Sequence, residues 1–108
     1  MFDNKLQSYI NNNFINSSGI ELNNINPSDG IILNSFNENS LKEVDDAIYS
    51  ARQAQRLWEK IPAIERAVYL KKIGDKIKDK ASNIVNIIVQ EQGKIKSLAE
   101  GEVNNTAE

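Results

Sequence analysis

The sequence predicts an α+β fold in two stretches, short paired strands followed by three to four helices. Three observations carry this. Gly19, Pro27, Gly30 and clusters of Asn punctuate short apolar runs before position 40. After it, apolar residues recur at helical spacing. Two Ser-x-x-Glu patterns, at Ser40/Glu43 and Ser97/Glu100, mark helix starts. With 108 residues, and at ~100–200 residues per domain, the chain is one domain or part of one. The boundary is set near Ser40, giving a β-hairpin and strand region over 1–40 and a helical region over 41–108.

Tyr9-Ile10 and Phe14-Ile15 flank Asn11-Asn12-Asn13. Asn tolerates the left-handed backbone of tight turns, so the spacing predicts a hairpin. A second strand pair is expected over Ile20–Ile25 and Ile31–Phe36. Between them, in Asn26-Pro27-Ser28-Asp29-Gly30, Pro fixes φ and Gly supplies a positive φ.

The first helix is expected to begin at Leu41, capped by Ser40 and Glu43, and to run to Leu57 or Trp58. Leu41, Val44, Ile48, Ala51 and Trp58 share one face, which needs something to pack against. Pro62 suits the first turn of a second helix, where its missing N–H has no intrahelical acceptor. Ala63, Ala67, Leu70, Ile73, Ile77 and Ala81 continue a stripe, and Gly74 within it marks a close helix contact. A third helix starts at Ala81 or Ser82 and stops at Gly93, a natural left-handed cap. Ile84, Val85, Ile87, Ile88 and Val89 leave it apolar around most of its girth, which predicts burial on more than one side. A fourth helix is expected to start at Ser97 and to be still running at Glu108, so the helical region is cut inside an element.

Composition narrows the chemistry. The chain has no Cys and no His, so disulfides, thiolate nucleophiles, imidazole bases and the common zinc and haem ligands are excluded. A net charge of −2 gives no overall pull toward nucleic acid or anionic lipid. No run reaches the ~18–20 apolar residues of a membrane span, and MFDNKLQSYI lacks a cationic, apolar leader, so the protein is expected in the cytoplasm.

Each chemical constellation has a bland counterpart that suits it better. Lys71, Lys72, Lys76, Lys78 and Lys80 are interrupted by Asp75 and Asp79, and read as a solvated face laced by ion pairs. Glu100/Glu102 and Asp45/Asp46 stand too close in sequence to face each other as a catalytic pair. The five glycines match no dinucleotide fingerprint or phosphate loop. Trp58 is taken as a packing anchor. The residues thus nominate no catalytic and no cofactor-binding position.

Taken in order, five collinear pieces resemble the opening segment of NAD(P)-dependent aldehyde dehydrogenases. They are Tyr9-Ile10-Asn11 with Phe14; Asn26-Pro27 with Gly30; Val44-Asp45 with Ala47 and Ala51; Trp58 with Pro62 and Glu65-Arg66; and Glu91-Gln92-Gly93-Lys94. The stretches Trp58–Ala67, Gly93-Lys94-Ile95, Leu98-Ala99-Glu100 and Glu102-Val103 with Thr106-Ala107 look most like the lactaldehyde/glycolaldehyde dehydrogenase branch. Asn12 departs from a common Gly, and Ile95 from a common Pro.

The resemblance implies a longer chain with an α/β, Rossmann-like cofactor domain, to which both regions belong, a catalytic domain and an oligomerisation arm, assembled as a homo-oligomer. It implies oxidation of a small aldehyde to a carboxylate with NAD or NADP. A Cys thiolate attacks the aldehyde, hydride passes to the nicotinamide and a Glu activates water. None of these groups falls in the present chain, which is expected to be an inactive scaffold. Several relatives hold a structural Na or K ion; by resemblance its ligands here are the carbonyls of Asn24 and Ile25 and the side chain of Glu91. A second reading, from another class, is a small standalone helical interaction module from a truncated gene.

Overall fold

A computed structural model describes residues 5–108. Residues 1–4, the first of the MFDNKLQSYI stretch, lie outside the described residues. Contacts divide the chain into two units, one ending at Lys60 and omitting Asn26–Ile31, the other formed by Asn26–Ile31 and Ile61–Glu108. Position 40 is where strands give way to helices. The units divide elsewhere, because the first helix belongs with the strands.

Among the described residues the first unit holds five strands: β1 (Lys5–Leu6), β2 (Ser8–Ile10), β3 (Asn13–Ile15), β4 (Glu21–Ile25) and β5 (Ile32–Asn37). β2 and β3 form the expected hairpin, with Tyr9 opposite Phe14. Its two loop residues, Asn11 and Asn12, have φ of 50° and 61°. A two-residue hairpin turn needs both positive, and Asn accepts that at small cost. The Tyr9 and Phe14 rings lie 4.9 Å apart between centroids, tilted by 60°.

The second sheet has the order β1-β5-β4, with β1 parallel and β4 antiparallel to β5. The two-residue β1 is too short to show alternation and was not anticipated. Leu6, Phe36 and Leu22 stand in register across the three strands. Register slips where Asn24 pairs Asn34 but Ile25 pairs Ile32, so Leu33 is an extra, unpaired residue and β5 is bulged.

Helix α1 (Leu41–Trp58) matches its expected span. The Ser40 Oγ accepts from the Glu43 N–H at 3.3 Å, and the Ser40 N–H donates to the Glu43 carboxylate at 2.7 Å. Reciprocal bonds of this kind satisfy donors that the helix leaves open. The Ser18 N–H also donates to Glu43, at 3.1 Å, so one side chain ties the segment after β3 to the start of α1. Leu41, Val44 and Ile48 are exposed.

In the second unit the turn Asn26–Ile31 is organised by its own side chains. Asn26 Oδ1 accepts from the Ser28 N–H at 3.0 Å and Asp29 Oδ1 from the Ile31 N–H at 2.9 Å. The Asn26 and Asp29 side chains thus share with Pro27 and Gly30 the role of shaping the turn.

Three helices follow: α2 (Ala63–Asp79), α3 (Ala81–Gln92) and α4 (Lys96–Ala107). Pro62 is the N-cap of α2, with a ψ of 143°, rather than a residue of its first turn. Its carbonyl accepts from the N–H groups of Glu65 and Arg66, both at 3.0 Å. The sharpest correction concerns α4, which starts at Lys96 with Ile95 as its cap, so the Ser97/Glu100 capping box does not form. The Ile95 carbonyl takes the first bonds, from Leu98 and Ala99, while Glu100 lies 4.0 Å from Lys96 Nζ. Ala99, Val103 and Ala107 form the buried edge of α4.

The core joins Val85 of α3 to Ala99 and Val103 of α4, surrounded by Ile77, Ala81, Ile84, Ile88 and Val89. Burial of α3 on more than one side is not realised, since Val85 alone is buried and Ile87 is exposed. The stripe on α2 meets this cluster through Ile77 and leaves Leu70 and Ile73 exposed. Gly74 is the close contact expected of it, for a Cβ there would stand 2.6 Å from the Ala107 carbonyl oxygen. Gly93 ends α3 with a φ of 63° and lies against Pro27.

Candidate functional site

Aldehyde oxidation of the kind the resemblance implies needs a nucleophile, a base and a hydride acceptor. The Ser18 side chain hydrogen-bonds to the Glu43 carboxylate, whose lowered pKa makes it a weak base. Ser17 Oγ lies 3.0 Å from Ser8 Oγ, which in turn donates to Asn39 Oδ1 at 2.9 Å. The backbone N–H of Ser18 is occupied by Glu43.

In each of the two carboxylate pairs at least one member is engaged with a lysine of its own. Asp46 lies 2.5 Å from Lys42 Nζ, and Glu102 lies 2.5 Å from Lys94 Nζ. The lysine-rich face of α2 is laced in the same way, by Lys71–Asp75 at 3.3 Å and Lys76–Asp79 at 3.7 Å. Such exposed pairs contribute ~0–1 kcal/mol each and belong to a solvated surface.

Two groups are displaced from their ordinary titration ranges, both in the direction that opposes acid–base work. The hydrogen bond from the Ser40 backbone, with those from Ser18, holds the Glu43 carboxyl below the usual carboxylate value. The hydrogen bond to Asp46 and its charge hold Lys42 above the usual ammonium value. Each group is fixed more firmly in its charged form, whereas a general acid or base works best when poised near the operating pH.

A dinucleotide requires a glycine-rich turn from strand to helix that offers backbone N–H groups to the pyrophosphate. At the junction between β5 and α1, the Glu43 carboxylate already takes the Ser40 N–H. That negative charge would repel a phosphate, so these residues do not fit the cofactor.

The residues nominated for a cation are placed as follows. Asn24 and Ile25 end β4 at the register slip, opposite the bulge in β5. Asn24 is half-buried and Ile25 is exposed. Glu91 is half-buried in the last turn of α3, near the negative end of the helix dipole. Among the described residues no three or more His, Cys, Asp or Glu side chains gather as a metal cluster. Sequence reasoning missed Asn34, which is 3% exposed opposite Asn24 on the bulged strand. Its amide has no hydrogen-bond partner among the described residues. An Asn in a run already rich in Asn carries no signal of burial.

Among the described residues no helix is long and apolar enough to cross a membrane.

Residues 14–108 match the aldehyde dehydrogenase family. Lactaldehyde dehydrogenase of Escherichia coli (strain K12) is 42% identical over 84 residues, covering 78% of this chain and 18% of that protein. The crystal structure of lactaldehyde dehydrogenase from Escherichia coli superposes with a TM-score of 0.92 at 36% identity, over 95% of this chain and 22% of that one. The NADP-dependent glyceraldehyde-3-phosphate dehydrogenase from Bacillus halodurans C-125, solved with NADP, gives 0.91 at 32% identity over the same shares. The chain therefore spans about a fifth of the length of the relatives it matches, and corresponds to their N-terminal part. This supports the enzyme-segment reading over the standalone module. Strands, four helices and a match running nearly the whole length agree on one conclusion: this chain belongs to the aldehyde dehydrogenase family.

Proposed function

We propose that this chain is the N-terminal scaffold of an enzyme that oxidises a small aldehyde, of the lactaldehyde or glycolaldehyde type, to its carboxylate with NAD or NADP. One observation carries the reading: a match over nearly the whole chain to dehydrogenases about five times its length, in a segment that contains no Cys. The thiol nucleophile, the cofactor site and the activating Glu belong to the remaining polypeptide, with which the exposed faces of α1 and α2 pack. The complete enzyme works in the cytoplasm as a homo-oligomer, without nucleic-acid or membrane partners. The slightly acidic balance of the chain supports the absence of nucleic-acid and anionic-membrane partners.

The test has two arms. The purified 108-residue chain is incubated with lactaldehyde, glycolaldehyde or propanal and either nicotinamide cofactor, and reduced nicotinamide is followed by absorbance. No turnover is expected, and steady turnover by the bare chain would overturn the scaffold role. The polypeptide read from the whole locus is assayed in parallel and is expected to be active; failure with every small aldehyde would remove the enzyme reading.

We also propose that the carbonyls of Asn24 and Ile25 and the carboxylate of Glu91 hold a structural monovalent cation in the complete enzyme. Their hard oxygen donors suit Na or K. The place of Glu91 at the negative end of α3 supports the assignment. Replacing Na and K by a bulky organic cation should lower the melting temperature of the wild-type enzyme, and Glu91→Gln should abolish that difference. An equal ion effect in both proteins would refute the site.

A further inference from the structure

We draw no further inference here: the strongest candidate, the apolar groove on α2 and the start of α3 formed by Tyr69, Ile73, Ile77 and Ile84 and edged by Lys72, Lys76 and Lys80, is an unpartnered helix face, and nothing in the structure shows what covers it.

Discussion

Replacing Gly74 by Ala sets two effects of opposite sign against each other. Ala in a helix interior is favoured over Gly by ~1 kcal/mol, because Gly loses more backbone freedom on folding. Against this, the new Cβ would stand 2.6 Å from the carbonyl oxygen of Ala107, whereas ordinary contact begins at 3.4 Å. Either α4 or α2 must give way by several tenths of an ångström, and overpacking of this kind costs ~1–3 kcal/mol. The net result is a loss of up to ~2 kcal/mol. Gly101, in the interior of α4, supplies the control, for a Cβ there meets nothing within 4 Å. Gly101→Ala should therefore show the full propensity gain of ~1 kcal/mol. Thermal unfolding followed by circular dichroism reads the difference. At ~4–8 °C per kcal/mol for a domain of this size, Gly101→Ala should melt at least ~4 °C above Gly74→Ala. Equal stabilisation by both substitutions would refute the close approach of α2 and α4.

Three further outcomes are expected. Glu43→Gln should lower the melting temperature at neutral pH, since the charged carboxylate caps α1 and holds Ser18. Because the native Glu43 pKa is lowered, its contribution is complete above the unfolded glutamate value of ~4.3 and is lost as pH falls through the native value. A melting difference from wild type that persists unchanged into strong acid would contradict the clamp. Ala99→Leu, at a position with no exposed surface, should cost ~1–3 kcal/mol in denaturant unfolding, and a neutral effect would show that α3 and α4 do not pack as described. Gly93→Ala should cost ~1–2 kcal/mol through its left-handed backbone, and Gly93→Asn less, because Asn accepts that conformation more readily; loss of the distinction would argue against the cap.

Local chemistry was legible wherever a few neighbouring residues sufficed. Ser40 with Glu43 specified the start of α1, because both partners of the reciprocal bonds lie within one turn. Asn11 and Asn12 specified the hairpin, because the permitted backbone is a property of the residues themselves. Gly93 ended α3 for the same reason. The pattern failed at the start of α4 and along α2. Ser97 and Glu100 have the composition of a capping box, yet α4 already runs at Lys96 with Ile95 as its cap, on an edge whose Ala99 and Val103 pack with Val85 of α3. Likewise the α2 stripe showed which residues are apolar, but not that it meets the core cluster through Ile77.

For the site, residue types alone established that this chain carries no thiol and no imidazole, and its collinear motifs pointed to the family. The tertiary structure decided the rest: that the β5–α1 junction presents a carboxylate rather than open N–H groups, that β5 bulges opposite Asn24 and Ile25, and that Asn34 is buried there. The physical reason is range. Caps and turns are settled by bonds between residues a few positions apart, which a sequence displays directly. Register and burial depend on which surfaces meet after the chain has turned back on itself, and no local pattern encodes that choice.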